Sequence, residues 1–396
     1  MRGIREYRRR TAVAVVVLAT VFSAAGYGMG FGPAAKGRQD HLTWEFAHIA
    51  DFDGRLTDVA VLAADDVWAA GFDKSGAADP QLLHYDGKQW KHEPLPDVLA
   101  PTDNPPVIDE IGEGVLWMHP PTDPAGTGAN RWAQWDGTHW STVPNPPPGK
   151  VRLLDAADPD DIWALTDERT ALHWDGTRWT TTRLPYRTSD LTVAGPDDVW
   201  AVGVRSTGPG TRLSDGGQYV QPASMHWDGT SWKPVKTPQV RFADPVPPEA
   251  GASLSQVFAL DSGEVRAYGL NSFNQGEGGP EPAEEPIRLR WNGSKWVDQK
   301  PAPGGCALRT PVSQDDKGLF LDHNWYLDDD GLCGKIKRRR LPLSTGAGRD
   351  SRQSLWLAEI HRIPGTDEWL GAGVVEVSQS GNPFTAPVVV RLKRGG

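Results

Sequence analysis

The chain is 396 residues long, carries a formal net charge of −10, and combines 44 Gly, 34 Pro and 18 Trp with only 4 Met, a profile suited to many short strands joined by turns. From His41 onward 34 basic residues face 49 acidic ones, a net of −15, because seven Lys/Arg and two Asp/Glu lie in the first 40. A body that acidic lacks the basic footprint that phosphate neutralisation needs, which argues against a nucleic-acid partner.

In chain order, the first element is an apolar run from Thr11 to Ala25, preceded by Arg2, Arg5, Arg8, Arg9 and Arg10. Basic residues before an apolar core, followed by small residues at Ser23, Ala24, Ala25 and Gly26, are the order of a signal peptide. The apolar character continues through Tyr27, Met29 and Phe31, so residues 11–31 are equally long enough for a retained membrane helix. Either way the basic end stays inside and the body is exported, giving an extracytoplasmic protein that is secreted or anchored. The Arg triplet also permits twin-Arg export, and no Cys near the run could carry a lipid. Residues 1–40 thus form a signal peptide or anchor with a short linker, and residues 41–396 a single domain.

That domain begins with His41-Leu42-Thr43-Trp44-Glu45-Phe46, a strand with no partner beside it in sequence. The first full unit runs from the apolar stretch Leu56 to Leu62, through a short turn at Ala64-Asp65, into Asp66-Val67-Trp68-Ala69-Ala70-Gly71. It ends in Tyr85-Asp86-Gly87 with Trp90 four positions after the Asp. The second unit has Val115-Leu116-Trp117, then Trp135-Asp136-Gly137 with Trp140. The third has Asp161-Ile162-Trp163-Ala164, then Trp174-Asp175-Gly176 with Trp179. The fourth has Asp198-Val199-Trp200-Ala201-Val202-Gly203, then Trp227-Asp228-Gly229 with Trp232. The fifth has Glu264-Val265-Arg266-Ala267-Tyr268-Gly269, then Trp291-Asn292-Gly293 with Trp296. Asp-Gly and Asn-Gly suit tight hairpins because both residues tolerate positive φ, and the flanking aromatics can then meet across the hairpin.

Two weaker units follow. Residues 307–343 offer Gly318-Leu319-Phe320-Leu321 and Trp325-Tyr326-Leu327 before Asp330-Gly331, with Cys333 and Ile336 where a Trp is expected. The last has Leu355-Trp356-Leu357, Trp369-Leu370-Gly371 and Val388 to Leu392, and there a fourth strand is missing. Four antiparallel strands per unit make one blade, so the expected fold is an all-β propeller of about seven four-stranded blades, preceded by an N-terminal apolar helix. The unpaired strand at residues 41–46 supplies the missing fourth strand and closes the ring, leaving no free edge.

These Asp-x-Trp and Trp-Asp-Gly-x-x-Trp repeats resemble those of exported actinobacterial propeller proteins of the galactose-oxidase-like or Kelch-like kind, over roughly residues 42 to 396. Asp136-Gly137 with Trp140 is also similar to the Asp-box turn of sialidase-type propellers. The resemblance implies the propeller fold and hardly specifies a function.

First-to-second and third-to-fourth connections are short in every unit, whereas second-to-third loops such as Arg205 to Pro222 and Ser272 to Glu285, and links such as Arg241 to Gly251 and Val98 to Pro106, vary in length. In a propeller the two variable kinds share one face, where binding residues concentrate. The candidate ligand-binding face is therefore Arg205, Asp215, Tyr219, Phe273, Asn274 and Glu277. Cys306 and Cys333, the only cysteines, are expected to form a structural disulfide, since a reactive pair has no C-x-x-C spacing here.

The recurring Trp residues read as wedges between blades rather than sugar platforms, and Asp86, Asp136, Asp175 and Asp228 as turn formers rather than catalysts. His84, His173 and His226 recur in separate blades, which suits packing or exposure better than a joint metal site. Asp328, Asp329 and Asp330 lack the full calcium-loop pattern, and the basic run Lys335, Lys337, Arg338, Arg339 and Arg340 reads as a solvated strand. No metal or cofactor is expected. A copper oxidase would need a Cys–Tyr cross-link that these cysteines do not offer. The leading expectation is a non-catalytic binding or scaffold module with a cell-surface protein or glycan as partner, touching the membrane only through residues 11–31. The alternative is a glycan-directed hydrolase or lyase on the same face, which would need converging groups such as Arg152, Arg205, Arg266 and Arg309.

Overall fold

The computed structural model describes residues 42–74, 79–99, 102–121, 131–206, 220–242, 250–260, 262–273 and 284–395. The expected signal or anchor helix lies outside these residues; among those described, no helix is long and apolar enough to cross a membrane.

The first sheet is β2 to β5 (Gly54–Ala63, Asp66–Asp73, Asp79–Tyr85, Trp90–Glu93). The second is β6 to β9 (Val107–Gly112, Val115–His119, Ala133–Trp135, Trp140–Thr142), and the third β10 to β13 (Leu153–Asp158, Asp161–Asp167, Thr170–Trp174, Trp179–Arg183). Then come β14 to β17 (Arg187–Gly195, Asp198–Ser206, Val220–Trp227, Trp232–Val235) and β18 to β21 (Gly251–Ala259, Val265–Ser272, Glu285–Trp291, Trp296–Asp298). A further four-stranded sheet is β22 to β25 (Pro311–Asp315, Gly318–Leu321, Trp325–Asp328, Cys333–Lys335). The closing sheet contains β1 (Leu42–Ile49), the short β26 (Lys337–Arg338), β27 (Arg352–Arg362), β28 (Trp369–Ser378) and β29 (Phe384–Arg394).

Each unit is an antiparallel meander, and the first strands β2, β6, β10 and β14 neighbour one another in turn, as the propeller requires. The expected count of about seven separate blades is corrected. Five sheets are self-contained, whereas β14–β21 form one eight-stranded sheet, because Val220 on β16 pairs in parallel with Gly251 on β18 and joins two four-strand meanders. The closure by the N-terminal strand is present. β1 runs antiparallel to β29 from Leu42 opposite Arg394 to Ile49 opposite Val388, so the outer strand of the last blade comes from the opposite end of the chain. A fifth strand, β26, adds in parallel outside it, with Thr43 opposite Lys337 and Trp44 opposite Arg338.

Local chemistry explains the repeats. The aromatic before each Asp-Gly or Asn-Gly lies directly opposite the Trp five positions later, as in Tyr85 with Trp90 and Trp227 with Trp232. The hairpins depart from expectation in one respect: only the glycine has positive φ, +81° at Gly87, and the loop is four residues long. The Asp works through its carboxylate instead. Asp86 Oδ1 accepts the main-chain N–H of Lys88 and Gln89, and Asp175 Oδ1 accepts those of Thr177 and Arg178. The glycine closing Asp-x-Trp-x-x-Gly has a different cause. A methyl on Gly71 would strike the carbonyl oxygen of Arg55, and one on Gly203 that of Arg187, beside bulges that place one extra residue in the inner strand.

Candidate functional site

Three units carry a bracket built from residues noticed in the sequence for separate reasons. His84 stacks on Trp68 with ring centroids 3.9 Å apart while its Nε2 meets Asp66 Oδ1 at 2.9 Å. His173 does the same with Trp163 and Asp161, and His226 packs on Trp200 at a tilt of 32° while bonding Asp198. The histidines therefore serve blade packing within their own units. The tryptophans are the expected wedges: Trp68 reaches Trp135 and Trp140 of the next sheet at 5.0 and 5.1 Å, and Trp163 reaches Trp227 and Trp232 at 5.0 and 5.3 Å. With Trp68 2 % and Trp163 0 % exposed, neither offers a face to a sugar.

A second recurrent device had no obvious mark in the sequence. Asp155 Oδ1 accepts the N–H of Ala156 in its own strand and Oδ2 that of Val193 in the next unit, both at 2.9 Å. Asp58 joins Val59 to Ile108, and Asp190 joins Leu191 to Val257, in the same manner. These buried carboxylates satisfy inner-strand N–H groups on both sides of a blade boundary. The only available signal was an acidic residue one place before an apolar run in strand 1. At the closing boundary a related cluster appears, in which His361 Nε2 meets Glu359 at 2.9 Å and Nδ1 faces Glu110 of the second sheet at 3.4 Å. Burial alone would depress His361, but Glu110 and then Glu359 overcome it and raise its pKa to about 10.

Of the proposed ligand-binding residues, Asp215, Tyr219, Asn274 and Glu277 lie outside the described residues. Arg205 sits near the end of β15 opposite Gln221, and Phe273 packs edge-on against Phe242 with centroids 5.7 Å apart. Arg152, Arg266 and Arg309 are engaged locally: Arg152 with the Thr188 carbonyl, Arg266 with Glu264 and Asp329, and Arg309 with Asp322 and the face of Trp325. Asp328 Oδ1 accepts the Leu332 N–H and Asp329 pairs with Arg266, so two of the three acidic residues serve a turn and an ion pair. Cys306 and Cys333 are disulfide-bonded.

A concavity lies where the repeat degenerates. In the fifth unit Arg266 stands in place of the wedge Trp, and in the next Phe320 takes it, packing on Trp369 and Trp44. Between the β22–β25 sheet and the closing sheet is a cavity of about 300 Å³ lined by His323 and Asn324, by Lys335, Arg338 and Arg340, and by Gln353 with its two followers. It is bounded by a second-to-third connection and a between-blade link, the two kinds of connection that share the loop-bearing face. The basic run is largely solvated, as expected, with Lys335, Lys337, Arg339 and Arg340 exposed; Lys335 ends β25, Lys337–Arg338 forms β26, and Lys335, Arg338 and Arg340 also line the cavity. Carbonyl oxygens hold the two arginines there. Arg338 donates to the carbonyls of Arg339 and Gln353, and Arg340 to those of Arg349 and Ser351. Burial, then the positive charge of Arg340, depresses the pKa of Arg338.

His323 and Asn324, at φ 53° and 56°, are the two non-glycine residues with positive φ among those described. Asn324 is held by its Nδ2 donating to the Ile336 carbonyl at 2.7 Å, and the Ile336 N–H donates back to the Asn324 carbonyl. The cost of that backbone conformation is carried at the cavity rim. Among the described residues no group of three or more His, Cys, Asp or Glu is arranged to hold a metal.

No family model matches this chain, and no curated protein does. Solved structures similar to it include YCF48 bound to a D1 peptide, at 13% identity over 91% of this chain and 96% of that one, with a TM-score of 0.45. The WD40 propeller domain of Doa1 is similar at 11% identity, 88% and 96% coverage and a TM-score of 0.46. The propeller domain of the Trilobed protease from Pyrococcus furiosus is similar at 9% identity, 84% and 97% coverage and 0.45. At these values the likeness carries no argument about function, and the strand pairing above is what identifies the propeller.

Proposed function

We propose that this protein is an extracytoplasmic, non-catalytic binding or scaffold module that holds its partner, a cell-surface protein or glycan, at the loop-bearing face. The observation that carries the reading is the 300 Å³ cavity, lined by three cationic side chains and rimmed by two residues in a costly backbone conformation. The basic-then-apolar N-terminus and the Cys306–Cys333 disulfide support an oxidising, exported setting. A glycosidase at this cavity would need two carboxylates, and its lining among the described residues contains neither Asp nor Glu. That favours binding over the hydrolase alternative.

The test fills the cavity without touching its charge. Ser354 is exposed at the rim, so Ser354→Trp should fold with an unchanged melting curve and lose the partner that the full chain captures in a glycan-array and pull-down screen. Undiminished capture by this variant would place the site elsewhere on the molecule.

A further inference from the structure

We infer that the cavity between the β22–β25 sheet and the closing sheet is an oxoanion site for a single charged sugar unit, a uronate or a sulfated residue, within a sparsely charged saccharide. The inference rests on the binding reading above and adds the ligand class.

Three cations line the cavity, Lys335, Arg338 and Arg340, in a chain whose net charge is −10. None of them forms an ion pair among the described residues, although the neighbouring Arg339, outside the lining, pairs with Glu45 at 2.9 Å. Two guanidinium groups held near one another without a carboxylate repel, and partial burial of Arg338 worsens that cost. The main-chain carbonyls orient them but leave donors over: Nε of both residues and Nη1 of Arg340 take no partner among the described residues. Oriented, unspent guanidinium N–H groups are the donors that carboxylate, sulfate and phosphate oxygens accept in pairs.

The rest of the lining narrows the class. Asn324, Gln353 and Ser354 offer amide and hydroxyl groups suited to sugar hydroxyls, and the apolar surface beside them suits the C–H face of a sugar ring. His323, depressed by burial, contributes a neutral ring at the rim against Trp356. The volume is at the small end for ligand pockets and accommodates one sugar unit rather than a long segment. The charge of the whole body sets the last limit. A densely charged polyanion pays repulsion everywhere except at this cluster, so the favoured ligand carries isolated anionic groups.

The experiment is calorimetric titration of the full chain with a glucuronate-containing oligosaccharide, a sulfated disaccharide, their neutral counterparts and a phosphoserine peptide. The expected result is binding of one or both acidic sugars, at least tenfold weaker binding of the neutral ones, and weakening with added salt. Arg338→Gln and Arg340→Gln should each weaken acidic-sugar binding by about tenfold or more, whereas Arg339→Gln should leave it within about twofold, with all three melting alike. Equal affinity for charged and neutral sugars, equal loss in all three variants, or no acidic-sugar binding at all overturns the ligand class. Binding of the phosphopeptide alone, lost in Ser354→Trp, overturns the saccharide while leaving the site standing. Acidic-sugar binding that survives Ser354→Trp, Arg338→Gln and Arg340→Gln overturns the site itself.

Discussion

The first and fourth units and the region from β18 through the closing sheet use the same four-stranded plan and fill its interfaces differently. In the former, each blade boundary carries an aromatic wedge and a buried carboxylate that satisfies N–H groups on both sides: Trp68 with Asp58, and Trp200 with Asp190. In the latter, Arg266 replaces the wedge, Phe320 shortens it, and the link from β25 is laid against the N-terminal strand. The contrast teaches that the repeat is a packing solution, and that a cavity with uncompensated charge opens where packing is not repeated. Apolar wedges exclude water, whereas arginines at the same positions must find acceptors or remain available.

Deleting residues 42–50 strikes the irregular region hardest, because it strips β29 of its partner and removes Trp44, a core side chain that is 1 % exposed. The melting temperature should drop by about 10 °C or more. An unchanged melt would show that the ring does not depend on this closure.

Trp163→Ala and Arg266→Ala compare the two kinds of boundary directly. The first removes a fully buried wedge and should cost about 4 kcal/mol in urea unfolding, as large-to-small core substitutions do. The second removes a guanidinium that is 12 % exposed but whose partners Glu264 and Asp329 both reach solvent, and should cost less, about 2 kcal/mol. Equal losses would erase the distinction drawn between them.

Replacing both Cys306 and Cys333 by Ser opens a loop of 27 residues beside the cavity and should lower stability by about 3 kcal/mol. Oxidised and reduced wild type compared by denaturant titration should show the same difference.

The last comparison is of pH dependence. His361 has its folded pKa raised to about 10 from 6.5, so its stabilising contribution is complete below pH 6.5 and is lost as pH rises through about 10. Melting temperatures between pH 6 and 10.5 should fall more for the wild type than for His361→Gln. Parallel curves would mean that His361 is not charged in the folded protein.

Strand order, the hairpins, the wedge role of Trp68 and Trp163, the disulfide and the closing strand were all legible in the residues. Each depends on a local signal: alternation of apolar residues, a glycine that must take positive φ, or an aromatic at constant spacing. The blade histidines were legible only as repeats, since their stacking on Trp and bonding to Asp need the registers of β3 with β4 and of β11 with β12. The search for a site went to the longest loops, where binding residues concentrate, and passed over the degenerate unit at residues 307–343. The cavity instead sits where six residues, 335–340, look like an ordinary charged strand.

By itself, then, the sequence determined an all-β repeat of four-stranded units whose first strand belongs to the last blade, because turn chemistry and side-chain period act over a few residues. Tertiary structure alone decided that β14–β21 fuse into one sheet and that Arg338 and Arg340 come together at one cavity. Those outcomes rest on pairings such as Trp44 with Arg338, nearly three hundred residues apart, which no local pattern encodes.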